Sequence, residues 1–253
     1  MMRYLTTLLA GLLAAATATA ADGKKLTIRW HGQSMFEIIT SAGTRIVTDP
    51  HAIEVFGRKS LRADLVLISH RHTDHTQLGV IENVREAKII HGLKAEGRRL
   101  DWNLLDEKFK DVRLRTVGLY HDSLFGMERG KVAAFIIEAD GLRIVHLGDL
   151  GHLLTEEQLK RIGPVDVLMI PIGGVYTING SEAREVVKQI KPRKYILPMH
   201  YGTKVYEDLL PADEFLDEQK KENIRHAATN QLLVDPDFKP AEPVIVLLYW
   251  DNK

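Results

Sequence analysis

The sequence predicts an α/β sandwich in which two mixed β-sheets pack face to face and helices cover the outer faces (an αββα layering). Three observations lead there. Short β-rich runs come first in the chain, strands alternate with capped helices in its second half, and Leu65–Ser69 is an unbroken apolar run of strand length. Such a run marks a strand buried on both faces. A chain with many strands and few helices covers its sheets most economically by stacking one on the other.

Leu26–Trp30, Met35–Ile39 and Arg45–Thr48 open the series, and Ser41-Ala42-Gly43-Thr44 reads as a hairpin turn between the last two. After Leu65–Ser69 come Lys88–Ile90, Val112–Thr116, Val132–Glu138, Arg143–Leu147, Val167–Ile170, Tyr195–Met199 and Val244–Tyr249. Thr155-Glu156-Glu157-Gln158 is a capping box that opens a helix to about Arg161. Ser181 reads as the cap of a helix over Glu182–Ile190 stopped by Pro192, and Pro211–Lys221 as a charged amphipathic helix. No linker, repeat or low-complexity tract divides the chain, so 21–253 is read as one domain.

Residues 1–20 read as an export signal. Arg3 precedes the apolar run Leu8–Ala16, and Ala18-Thr19-Ala20 offers the small side chains a signal peptidase needs. The run falls well short of the roughly 20 apolar residues a spanning helix requires. The expected location is therefore the periplasm or the outside, with no stable membrane anchor after cleavage. With 34 basic against 34 acidic residues, the chain lacks the basic field of a general nucleic-acid binder. It has no cysteine, which excludes disulfides, thiolate metal sites and a cysteine nucleophile.

The chemistry lies in the 11 histidines. Directly after the apolar strand comes His70-Arg71-His72-Thr73-Asp74-His75, three imidazoles and a carboxylate that packing alone gives no reason to cluster. Imidazole and carboxylate are the nitrogen and oxygen donors that zinc accepts. In an extended loop His70 and His72 project to one side, while Asp74 and His75 lie just beyond the bend, within reach of a second ion.

His-x-His-x-Asp-His after a strand resembles the metallo-β-lactamase-fold hydrolases. The rest of that family's pattern occurs in order: Thr48-Asp49-Pro50, Tyr120-His121-Asp122, Gly148-Asp149 and Met199-His200. Trp30-x-Gly-x-Ser34, Gly173-Gly174-x-Tyr176-Thr177 and His200-Tyr201-Gly202-Thr203 further resemble the branch that includes ascorbate-phosphate lactonase. Gln33 stands where that branch often has His, which leaves a role at that position open. The resemblance implies two divalent ions, zinc first, with manganese or iron as alternatives. His70, His72 and His121 would hold one, Asp74, His75 and His200 the other, and Asp149 would bridge them. Asp49 would orient a ligand histidine.

On that resemblance the reaction is hydrolysis of a small-molecule ester, lactone or phosphoester by a hydroxide shared between the ions. True β-lactamases of the family generally lack an acidic bridge, so β-lactam hydrolysis is the alternative, together with a non-hydrolytic redox or binding protein of the same fold. Asp74 and His152 are the further catalytic candidates, His152 as a proton donor to the leaving group. Tyr176, Thr177 and Tyr201 are candidate substrate contacts. His146 reads as a hydrogen-bonded core histidine, His31 as either a rim or a structural residue, and His51, His91 and His226 as surface groups.

Overall fold

The structure is a computed structural model that describes residues 25–97 and 99–250. The proposed export signal lies outside the described residues. The strands in chain order begin with β1 (Leu26–Trp30), β2 (Phe36–Ile39), β3 (Arg45–Thr48), β4 (Leu65–Ile68) and β5 (Lys88–His91). A two-stranded ribbon of β6 (Leu93–Glu96) and β7 (Arg99–Trp102) follows, then β8 (Asp106–Phe109), β9 (Val112–Tyr120), β10 (Lys131–Ala139) and β11 (Leu142–His146). The second half runs α1 (Glu156–Ile162), β12 (Val167–Pro171), α2 (Gly180–Ile190), β13 (Tyr195–Met199), α3 (Asp213–Leu216), β14 (Ile224–His226), β15 (Gln231–Val234) and β16 (Val244–Leu247).

Two mixed sheets result, as expected. One has the order β15-β1-β2-β3-β4-β5 and the other β14-β16-β13-β12-β11-β10-β9-β8. The apolar strand β4 is buried on both faces: Leu65 and Leu67 enter the cluster shared with the second sheet, while Val66 and Ile68 join a smaller one with Met35, Val47 and Ile81. That outer cluster is covered by loop and 3₁₀ turns, including Leu78–Val80. Helix α2 contributes Ala183, Val186 and Ile190 to the main core.

The direction of the strands positions the site. β3 and β4 are parallel, and β11, β12 and β13 are parallel to one another. β9 and β11 both run antiparallel to β10, so they share a direction. The loops after β3, β4, β9, β11 and β13 carry Asp49, His70–His75, His121, Asp149 and His200 respectively.

Three local expectations change. Helix α2 is capped by Asn179, whose Oδ1 accepts from Glu182 N–H at 2.8 Å while Glu182 Oε2 accepts from Asn179 N–H at 2.9 Å. A cap at Ser181 would have put Arg184, which offers no acceptor, at the reciprocal position. Pro211–Lys221 yields only the single turn α3, because after Leu216 no apolar residue follows until Ile224 and a longer helix would have no face to bury. Strands β6, β7, β8, β14 and β15 were not expected. β8 reads Asp-Glu-Lys-Phe and forms a sheet edge whose exposed charges discourage further pairing.

His51, expected at the surface, is 1% exposed. Its Nδ1 accepts from Ile53 N–H and its Nε2 lies 3.1 Å from the His31 carbonyl, a pairing that fits a neutral ring with the proton on Nε2. Burial pushes its pKa down to about 4. The unfolded chain therefore takes up this proton at a higher pH than the folded one does. The resulting stability, on the order of 2–3 kcal/mol, is present above pH ~6.5 and lost as pH falls toward 4. Urea unfolding of wild type and His51→Gln should show a stability gap at pH 7 that narrows steadily by pH 4.5. A gap independent of pH contradicts this account.

Candidate metal centre

The cluster is assembled from segments far apart in sequence. Asp49 adopts a left-handed backbone (φ 41°), as do Gln33 (φ 48°) and His200 (φ 50°). Three such residues at one place is backbone strain of the kind found at functional sites. Ser69, the polar residue that ends the apolar run, anchors the loop that follows β4: its N–H and hydroxyl donate to the two Asp49 oxygens, each at 2.7 Å. The other side of Asp49 Oδ2 meets His75 Nδ1 at 3.1 Å.

At the centre stands Asp149, 2% exposed. Its Oδ2 lies 3.1 Å from the Nε2 atoms of His75 and His200, 3.3 Å from that of His121 and 3.8 Å from that of His70. Its Oδ1 accepts from the Ser34 hydroxyl at 3.2 Å. Three sets of donor atoms are each mutually within 4.8 Å: His70 with His72 and His121; His70 with His75 and Asp149; Asp74 with His75 and His200. The first and third are the two triads the resemblance implied, and Asp149 lies between them. Gln33 Nε2 donates to Asp74 Oδ2 at 3.2 Å, which gives the unassigned position a holding role.

The electrostatics suit a bound cation. Burial would raise the Asp149 carboxyl pKa, yet the charges of His200 and His75 hold it well below the ordinary range. Burial likewise opposes charging of His75, but Asp149 and Asp49 push its pKa well above the usual imidazole value. Asp74, against the cost of burial, is lowered by His75. His70 is pushed well below the usual value by burial and then by His75. Both ring nitrogens of His75 and of His121, and Nδ1 of His200, are buried without a hydrogen-bond partner, which is costly unless something else satisfies them. Nitrogen and carboxylate donors in tight triads, some of them orphaned, fit divalent metal ions. A bound ion would take over the balancing role of the His75 proton, so binding would release protons.

A cleft of about 440 Å³ opens beside the cluster, and Tyr176 lines it. Other expected contacts lie elsewhere. Tyr201 is buried, stacks on Trp30 with ring centroids 5.3 Å apart, and faces a larger apolar cavity of about 700 Å³. The Thr177 hydroxyl is spent on the Ile178 carbonyl. His152 does not line the cleft: Nε2 accepts from Tyr120 N–H at 3.1 Å and Nδ1 lies 2.7 Å from the Leu153 carbonyl. With both nitrogens engaged, the ring braces the end of β9 and has none free for proton transfer. His146 is the core histidine expected, bonded to the Ser34 carbonyl and Gly148 N–H. His31 is buried, whereas His91 and His226 are exposed. Sequence reasoning missed Ser69 and the cleft-lining Arg71 and Arg129. For Ser69 and Arg71 the available signal was their position flanking His70.

Two stacked mixed sheets with a histidine–carboxylate cluster beyond the strand ends define the metallo-β-lactamase fold. Residues 27–200 match the beta-lactamase superfamily domain. A UPF0173 metal-dependent hydrolase of Thermococcus onnurineus is 32% identical over 192 residues, covering 70% of this chain and 84% of its own length. One of Thermoplasma acidophilum is 30% identical, covering 75% and 88%. A solved structure from Thermotoga maritima, described as a candidate zinc-dependent hydrolase of the metallo-β-lactamase superfamily, aligns with TM-score 0.66 and 32% identity over 88% of this chain and 98% of that one. The chain belongs to the UPF0173 metal-dependent hydrolase family of the metallo-β-lactamase superfamily.

Proposed function

We propose that this metal-dependent hydrolase is exported and cleaves a small-molecule ester, lactone or phosphoester with two divalent ions, zinc foremost and manganese or iron as alternatives. The reading rests above all on one observation: a single carboxylate oxygen of Asp149 stands 3.1–3.8 Å from four imidazole nitrogens. His70, His72 and His121 would hold one ion, Asp74, His75 and His200 the other, with Asp149 between. When bound, such ions supply a hydroxide nucleophile near neutral pH and stabilise the oxyanion that develops.

The chain's own residues set the geometry. Asp49 Oδ2 lies 3.1 Å from His75 Nδ1 and, itself held by Ser69, can fix that ring's orientation. Ser34 and Gln33 hold the two cluster carboxylates. Asp74, whose carboxylate is 33% exposed and lines the cleft, is kept ionised by His75 and can orient an attacking water. Tyr176 stands at the mouth, where its hydroxyl can meet a substrate oxygen. The cleft volume suits a small molecule. The lactonase-like motifs around Trp30, Gly173 and His200 favour the lactone and phosphoester end of the range.

Dialysis against a chelator should abolish turnover of p-nitrophenyl butyrate, a γ-lactone or bis(p-nitrophenyl) phosphate, and added zinc or manganese should restore it. Turnover indifferent to chelation rejects the proposal.

A further inference from the structure

Apart from the cluster residues, the cleft is lined by Arg71, Thr73, Arg129 and Tyr176, and among the described residues its carboxylates are Asp74 and Asp149. Two arginines thus line a cleft whose histidine–carboxylate cluster is suited to divalent cations. A guanidinium with free donors at the side of such a cleft favours a negatively charged ligand. We propose that Arg129 makes the cleft an anion-selecting site, so that the substrate carries an oxyanion at or beside the scissile bond. The proposal rests on the hydrolytic reading above and names the charge class of its substrate.

The position of Arg129 is built into the loop that carries His121. The buried Asp122 carboxylate accepts four backbone N–H groups: Leu124 and Gly126 on Oδ1 at 2.8 and 2.9 Å, Glu128 and Arg129 on Oδ2 at 3.1 and 2.8 Å. His121 N–H donates to the Gly130 carbonyl at 3.0 Å and closes the loop. The backbone of Arg129 is therefore held in register with His121. Its guanidinium reaches the segment after β12, donating to the Val175 carbonyl at 3.3 Å with its carbon 5.8 Å from the Tyr176 ring centre. Glu128 accepts at 3.3 Å from another of its nitrogens, but that carboxylate side chain is 57% exposed. A pair so exposed is weak, and a guanidinium carries five N–H donors, so donors remain for a ligand. Arg71 forms no ion pair among the described residues.

Phosphorus and carbon substrates share this chemistry, because a phosphodiester carries its own negative oxygen and a carboxylate can flank an ester. The test uses metal-loaded wild type, Arg129→Met, Arg129→Lys and Glu128→Gln with three substrates: bis(p-nitrophenyl) phosphate, mono-p-nitrophenyl glutarate and neutral p-nitrophenyl butyrate. Wild type should favour an anionic substrate over the neutral one. Arg129→Met should cut that preference about tenfold or more through KM, as expected for loss of a charge-assisted hydrogen bond. Arg129→Lys should keep part of it. Whichever anionic substrate shows the effect identifies the source of the oxyanion.

Calorimetric binding of inorganic phosphate provides a readout independent of turnover. Its affinity should fall about tenfold in Arg129→Met and rise in Glu128→Gln, which frees the guanidinium. If neither these substrates nor a γ-lactone turns over but phosphate binding falls in this way, the proposed ester, lactone or phosphoester reading fails and the anion site stands. Equal phosphate affinity in wild type and Arg129→Met overturns the proposal, whatever the hydrolysis assays give.

Discussion

Asp149→Ala is expected to abolish hydrolysis, with kcat/KM reduced by about 10⁴-fold or more, the scale seen when a residue central to a catalytic unit is removed. The reason lies in its surroundings. One oxygen of this carboxylate faces four imidazoles, and the other is fixed by Ser34. Without it no carboxylate separates the two triads, and two neighbouring cations would lose the protein charge that offsets their repulsion. Asp149→Asn keeps the shape but not the charge, and should share most of the loss. Steady-state kinetics at saturating metal provide the check, and a variant within tenfold of wild type would contradict the role.

The second large effect is expected from a residue that cannot ligate anything. A methyl group at Gly151 would lie 2.3 Å from the carbonyl carbon and oxygen of His121 and 2.4 Å from Asp122 N. These are backbone atoms, so no side-chain rotation relieves the clash. Gly151 N–H also donates to the Tyr120 carbonyl at 3.0 Å, which ties the Asp149 segment to the end of β9. Gly151→Ala must push the two segments apart, and with them His121 from Asp149. A displacement near 1 Å costs about 10²-fold in rate, so the variant should lose about that much activity with every donor side chain intact. Gly173→Ala should act likewise on the other triad, because its methyl would lie 2.2 Å from the His200 carbonyl oxygen. Thermal unfolding of the metal-free variants separates this from global collapse. Full activity in both would mean that the approach of these backbones does not set the site.

The candidate donor cluster was legible in the sequence because it is written in unusual residue types at strand ends. His70, His72, His121, Asp149 and His200 each follow an apolar run, and the parallel arrangement of those runs brings their ends together. Short charged edge strands were not legible, since β8 and β14 have no apolar period to detect. The surroundings of the donors were harder still. Tyr201 and His152 sit beside cluster segments in sequence, yet one stacks on Trp30 and the other braces a backbone, outcomes decided by packing from distant segments. Arg129 was invisible for the converse reason: its place beside the cleft depends on the loop that Asp122 gathers through four backbone contacts. His51 looked like a surface group because burial of an imidazole requires partners, here Ile53 N–H and the His31 carbonyl, that no motif advertises.

The most direct measurement is elemental analysis of wild type and Asp149→Ala, purified in parallel with zinc and manganese and freed of loosely bound ions. The account predicts about two divalent ions per wild-type chain and fewer than one in the variant. A metal-free wild type, or a variant that keeps the full wild-type complement, would contradict it.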